Sequence, residues 1–144
     1  MIAVSACLVG KNVKYNGSNN YNTYVLKYLE NKPYILICPE TLGLLPTPRC
    51  PSEIKNSKVY SKEGKDVTNN FIDGAHKALN IILENNVDEI ILKANSPSCG
   101  YKKVYDGSFT GTLIDGNGIF TQLIINKEIK IYTEKDIEKI YEKN

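Results

Sequence analysis

Apolar positions along this chain recur at two different periods, and the two alternate. Ile2-Ala3-Val4 predicts a first strand over residues 2–6. Tyr21, Tyr24, Val25, Tyr28 and Leu29 fall at i, i+3, i+4, i+7 and i+8, which predicts an amphipathic helix with those side chains inward. Pro33 ends it, and Tyr34-Ile35-Leu36-Ile37 predicts a second strand over 34–38. Residues 39–56 hold Pro39, Pro46, Pro48 and Pro51 and read as one long loop, a length that usually serves function inside a compact domain. Residues 57–60 predict a short edge strand. Val67, Phe71, Ala75, Ala78 and Ile82 line one face of a long helix over about 67–86, which Gly74 weakens slightly.

The second half continues the alternation. Residues 88–93 predict the third core strand. Val104 to Ile114 encloses Asp106-Gly107, a hairpin or tight-turn signal. Residues 118–126 fit a helix or a strand, with helix the preferred reading. Residues 129–132 predict a last strand. Thr133-Glu134-Lys135-Asp136 resembles a capping box opening a terminal helix, with Ile137, Ile140 and Tyr141 inward. Strands alternating with helices imply an α/β fold: a three-layer, Rossmann-like, mostly parallel sheet with helices on both faces and right-handed crossovers. At 144 residues, one domain spanning the whole chain is expected.

Composition changes this picture little. The chain is 42% hydrophobic and 24% charged, with a net charge of +2 from 18 basic and 16 acidic residues. No long basic tract makes an electrostatic case for nucleic acid. No apolar run approaches the roughly 20 residues of a membrane helix. The opening Met1–Cys7 stretch has no charged lead and reads as a strand rather than a signal peptide. The expectation is a cytoplasmic protein, with four cysteines reduced, buried, catalytic or metal-bound rather than paired. Arg49 is the only arginine among the 18 basic residues and lies in the loop beyond Cys38.

Three of the cysteines share one context. Cys7, Cys38 and Cys99 each follow a predicted core strand, and the last two sit in Cys-Pro and Ser-Pro-Ser-Cys-Gly turns. Ligands of an open parallel sheet bind at the carboxyl ends of its strands. Three thiolates meeting there would suit a soft metal centre with one position left open. Against this, a single buried cysteine is more often a small hydrophobe, and no C-x-x-C pair is present. Glu40 is a possible proton shuttle, although from residues alone it reads first as a solvated loop carboxylate. Ser96 and Ser98 can donate to a substrate or to sulfur, or cap their turn. Asp106, Ser108 and Thr110 form a polar run that reaches the same edge or belongs to an ordinary hairpin. His76 reads as structural. No G-x-G-x-x-G or Walker loop supports nucleotide-phosphate binding.

Four blocks stand out: Val4-Ser5-Ala6-Cys7-Leu8-Val9-Gly10, Cys38-Pro39-Glu40 through Gly43–Arg49, Glu63–Thr68, and Lys93–Gly100 with Tyr105–Gly111. Together they resemble the thiouracil desulfurase family, small bacterial and archaeal iron–sulfur proteins. The resemblance implies a [4Fe–4S] cluster held by three cysteines, with one iron free of protein ligands. By motif position these are Cys7, Cys38 and Cys99. Cys50 stands where the family usually has a further proline and is left out. It further implies that Glu40 and either Ser96 or Ser98 take part in removing sulfur from a thiolated pyrimidine, giving uracil and sulfide without net redox change. Arg49, Asp106 and Ser108 are the candidate substrate-binding residues. Free base and modified tRNA nucleoside both stay open as substrates. Two readings compete: a structural zinc site closed by Cys50 with the other three thiols, and a cluster-bearing sulfur-binding module without turnover.

Overall fold

The structure, a computed structural model, describes residues 1–142. Its centre is a four-stranded parallel sheet in the order β2-β1-β5-β8. These strands are β1 (Ile2–Ser5), β2 (Tyr34–Ile37), β5 (Glu89–Leu92) and β8 (Lys130–Thr133). Side chains alternate between the two faces, as the pleat requires. On one face Ala3, Ile37, Ile90 and Leu92 pack against Ala75, Ala78 and Ile82 of α3 (Thr68–Glu84) and against Phe120 and Ile124 of α4 (Ile119–Ile124). On the other, Ile2, Val4 and Ile91 pack against Val25 and Leu29 of α1 (Thr23–Leu29) and Ile137 of α5 (Glu134–Glu142). This is the expected three-layer α/β arrangement. Among the described residues, no helix is long and apolar enough to cross a membrane.

The stretch expected to be one loop, 39–56, carries two elements. A single helical turn, α2 (Pro39–Leu42), follows Cys38 directly, with Pro39 in the first helical position that its missing N–H suits. Next, β3 (Ser52–Lys55) pairs antiparallel with β4 (Lys58–Ser61), so the expected edge strand belongs to a separate hairpin. The Asp-Gly signal marks a second hairpin, β6 (Lys103–Tyr105) with β7 (Leu113–Asp115), though its turn is the whole 106–112 loop. Helix α1 starts later than its period suggests, because the Asn22 side chain accepts the N–H groups of Tyr24 and Val25 and caps it there. Tyr21 lies outside the helix and is exposed, and Tyr24, in its first turn, is exposed with its ring stacked on Tyr141. At the far end the Thr133 N–H donates to Asp136 at 2.9 Å, the reciprocal half of the expected capping box. Ile137 is buried there, whereas Ile140 is 42% exposed.

Gly74, a weak point for a helix, has a packing reason. A Cβ on Gly74 would stand 1.9 Å from the Pro39 carbonyl oxygen and 2.8 Å from the Gly43 nitrogen. One on Gly43 would stand 2.0 Å from the Asn70 carbonyl oxygen. Helices α2 and α3 thus meet backbone to backbone. The Asn70 side chain donates to Gly43 O at 2.9 Å and Lys77 Nζ to Leu42 O at 3.2 Å, satisfying carbonyls at the end of α2. This contact sets the place of Cys38-Pro39-Glu40. Gly74→Ala is expected to cost at least about 2 kcal/mol, an overpacking that rigid backbone on both sides cannot relax. Denaturant melts of the two proteins check it, and equal midpoints would refute the close crossing.

Candidate active site

Three strand ends deliver three thiols to one edge of the sheet. After β1 the chain turns through a short 3-10 segment, Ala6–Val9, that carries Cys7. Gly10 closes the segment at φ +96°, a left-handed conformation that favours glycine. After β2, Cys38 stands extended at the N-cap position of α2. After β5, the Ser96 hydroxyl oxygen accepts the N–H groups of Ser98 at 3.1 Å and Cys99 at 3.0 Å, folding the link into a tight turn. Cys7, Cys38 and Cys99 line the same cavity of about 470 Å³, together with Glu40, Ser96 and Ser98.

The thiols are close enough to affect one another. Burial pushes the Cys99 thiol far above its ordinary value, and Cys38 and Cys7 add to the rise while the nearby Ser5 and Ser98 hydroxyls oppose it. Burial also raises the Cys7 thiol; a hydrogen bond from Asn20 opposes this, Cys38 adds to it, and Lys93 pulls it down. Without a cation both stay protonated at neutral pH, so a bound metal would displace their protons. Among the described residues, no three His, Cys, Asp or Glu side chains are spaced for a single ion.

Beside the thiols runs a chain of polar contacts. Glu40 Oε1 accepts from Arg49 Nε at 3.2 Å and Nη2 at 3.0 Å. Glu40 Oε2 accepts from the Ser98 hydroxyl at 2.8 Å. Ser98 and Ser96 hydroxyls meet at 2.9 Å, and Ser98 Oγ lies 3.7 Å from the Cys99 sulfur. A carboxylate accepts only, so the Ser98 proton points to Glu40, and the Ser96 proton is free to point to Ser98. Glu40 and Arg49 side chains are only 17% and 8% exposed, so neither is a solvated loop charge.

The remaining candidates lie elsewhere. The Asp106 carboxylate accepts the Ser108 N–H at 2.9 Å and its hydroxyl at 2.5 Å, on the exposed part of the loop. Neither residue lines the cavity; their neighbours Tyr105, Phe109 and Gly111 do. Cys50 is exposed and outside the lining. Cys50→Ser is accordingly expected to take up as much iron on anaerobic reconstitution as the unsubstituted protein. A loss of iron as complete as in Cys7→Ser would show that the ligand set is different. His76 is on the exposed face of α3, away from the cavity.

Two carboxylates that the sequence did not single out hold the walls. Glu53 Oε1 accepts the N–H groups of Gly107 at 3.0 Å and Phe109 at 3.1 Å, which ties the 106–112 loop to the cavity. Glu134, at the first position of α5, accepts the Ala94 N–H at 2.6 Å and pairs with Lys93 Nζ at 2.9 Å. Both are acidic residues in unremarkable sequence surroundings, and only their distant backbone partners give them meaning.

Known proteins share this fold. The chain is 36% identical, over 97% of its length and 99% of the other's, to the uncharacterized protein YbbK of Bacillus subtilis (strain 168). It superposes with a TM-score of 0.87 and 36% identity on the solved structure of a [4Fe–4S]-dependent thiouracil desulfidase, TudS, covering 99% of this chain and 95% of that one. A family model described as 2-thiouracil desulfurase matches residues 2–136. The chain belongs to the 2-thiouracil desulfurase family.

Proposed function

We propose that this protein hydrolyses thiolated pyrimidines such as thiouracil to uracil and sulfide, using a [4Fe–4S] cluster held by Cys7, Cys38 and Cys99. The observation that carries the reading is the contact between Glu40 and Ser98 on the wall of the cavity that the three thiols share. The donor set suits the cluster: three soft sulfur ligands, each from a different strand end. A four-iron cube needs its thiolates spread around it rather than gathered on one ion, and these three come from three separate segments that line one cavity. When bound, such a cluster supplies an iron without a protein ligand, a Lewis acid for a soft thiocarbonyl sulfur.

The rest of the chemistry falls to side chains of the chain. Glu40 Oε2 takes a proton from the water that attacks the thiocarbonyl carbon and returns it to the ring or to the departing sulfur. Water adds, hydrogen sulfide leaves, and no electrons are gained or lost. Ser98 holds Oε2 at the cavity wall and is the serine of the reaction, while Ser96 holds the turn through its two N–H contacts. Tyr105 and Phe109 give the opening an aromatic side suited to a flat ring.

Protein reconstituted anaerobically with iron and sulfide, then given 2-thiouracil and no reductant, is expected to release uracil and sulfide in equal amounts. A fully loaded protein that produces no uracil from any thiolated pyrimidine would overturn the proposal. Running free bases beside thiolated tRNA nucleosides in the same assay settles which of them the opening admits.

A further inference from the structure

Arg49 directs every donor it has at the protein itself. Its guanidinium donates from Nε and Nη2 to Glu40 Oε1, from Nη2 again to Val13 O at 3.0 Å, and from Nη1 to Pro46 O at 3.1 Å and Thr47 Oγ1 at 3.0 Å. An arginine has five N–H donors in a planar fork, so none is left for a ligand. The anchors come from three separate stretches of chain: the 13–15 wall of the cavity, the 46–47 bend and the first turn of α2. Because the fork is rigid, the acceptors on Val13, Pro46 and Thr47 fix its plane, and the remaining edge meets Glu40 in one place. It grips Oε1 alone. Oε2 is left to Ser98 and the cavity.

We propose that Arg49 is a positioning residue for the proton-transfer step, holding Glu40 by one oxygen so that the other stays at the reacting edge. The inference rests on the reading of Glu40 as the acid–base group. It differs from a substrate-binding role for Arg49, because a residue that contacts substrate acts on KM and one that aligns a proton carrier acts on kcat. Lysine keeps the charge but has a single nitrogen on a flexible stem, so it serves Glu40 or the carbonyls but not all of them. The main-chain bond from Arg49 N–H to Tyr15 O, at 2.6 Å, survives any change of side chain and keeps the 13–15 wall in place.

The test is a double-variant cycle read as kcat and KM, with iron content matched throughout. Arg49→Met is expected to lower kcat on the order of a hundred-fold and Arg49→Lys on the order of tenfold, with KM within about threefold of normal. In a Glu40→Gln background the same changes are expected to cost almost nothing more, because the group they align no longer carries the proton. A crystal structure of Arg49→Lys is expected to show the contact between Glu40 and Ser98 broken. Raised KM with normal kcat in the arginine variants overturns the proposal in favour of a ligand contact. Losses that simply multiply in the double variant overturn it in favour of a general structural role. Normal activity in Glu40→Gln alone brings down the acid–base reading and this inference with it. An inactive Glu40→Gln beside normal arginine variants removes only the inference. Should Arg49→Met fail to fold, Arg49→Lys carries the same comparison.

Discussion

Glu40→Gln is expected to keep its full iron content and to lose sulfide release by on the order of a hundred-fold or more, the scale of a proton-transfer residue. Glutamine has the same shape and still offers an oxygen to Arg49 or to Ser98. It has no group that takes a proton at neutral pH. The substitution therefore separates the proposed proton carrier from the hydrogen-bonded tie. If Glu40 only ties the first turn of α2 to Arg49, the amide preserves most of that tie and turnover survives. If it moves the proton, turnover falls while the cluster stays. Near-normal release at matched iron would remove Glu40 from the mechanism and leave Ser98 or Ser96 as the group to test next.

Cys99→Ser is expected to lose the cluster, with iron at the level of a control protein and sulfide release gone. Cys99 is 4% exposed, between the hydroxyls of Ser5 and Ser98, so its sulfur has neither solvent nor mobility to compensate. Serine keeps the size and the hydrogen bonding but supplies a hard oxygen where a soft thiolate is needed. Circular dichroism should match the unsubstituted protein, since the change is one buried atom. Cys7→Ser and Cys38→Ser are expected to behave alike, because the three thiols line one cavity. Retention of a full four-iron complement by any of the three variants would exclude that cysteine from the ligand set.

The core strands are legible in the sequence because a parallel sheet covered on both faces buries nearly every residue of each strand. Ile2-Ala3-Val4 and Ile90-Ile91-Leu92 leave little room for another reading. The convergence of Cys7, Cys38 and Cys99 follows from that topology, since parallel strands end at one edge. What stays hidden are the short elements. Helix α2 is a single turn, too short for a 3.6-residue period to register. Strand β3 reads Ser52-Glu53-Ile54-Lys55, and its stability comes from pairing with β4 and from the grip of Glu53 on N–H groups 54 and 56 positions away. Arg49 stood out as the only arginine, but its meaning depends on Val13, 36 positions earlier. Asp106 and Ser108 had the right residue types in the right block, yet their hydrogen bonds close on each other. Local pattern identifies side chains able to do chemistry. Which of them face one another is decided by contacts far apart in the chain.

Mössbauer spectroscopy of protein reconstituted with iron-57 tests the central claim most directly. A cluster held by three cysteines has one iron unlike the other three. Added thiouracil, in the Glu40→Gln protein where turnover is slow, is expected to change the signal of that one iron in four and leave the others as they were. Four equivalent irons that ignore thiouracil would contradict the account.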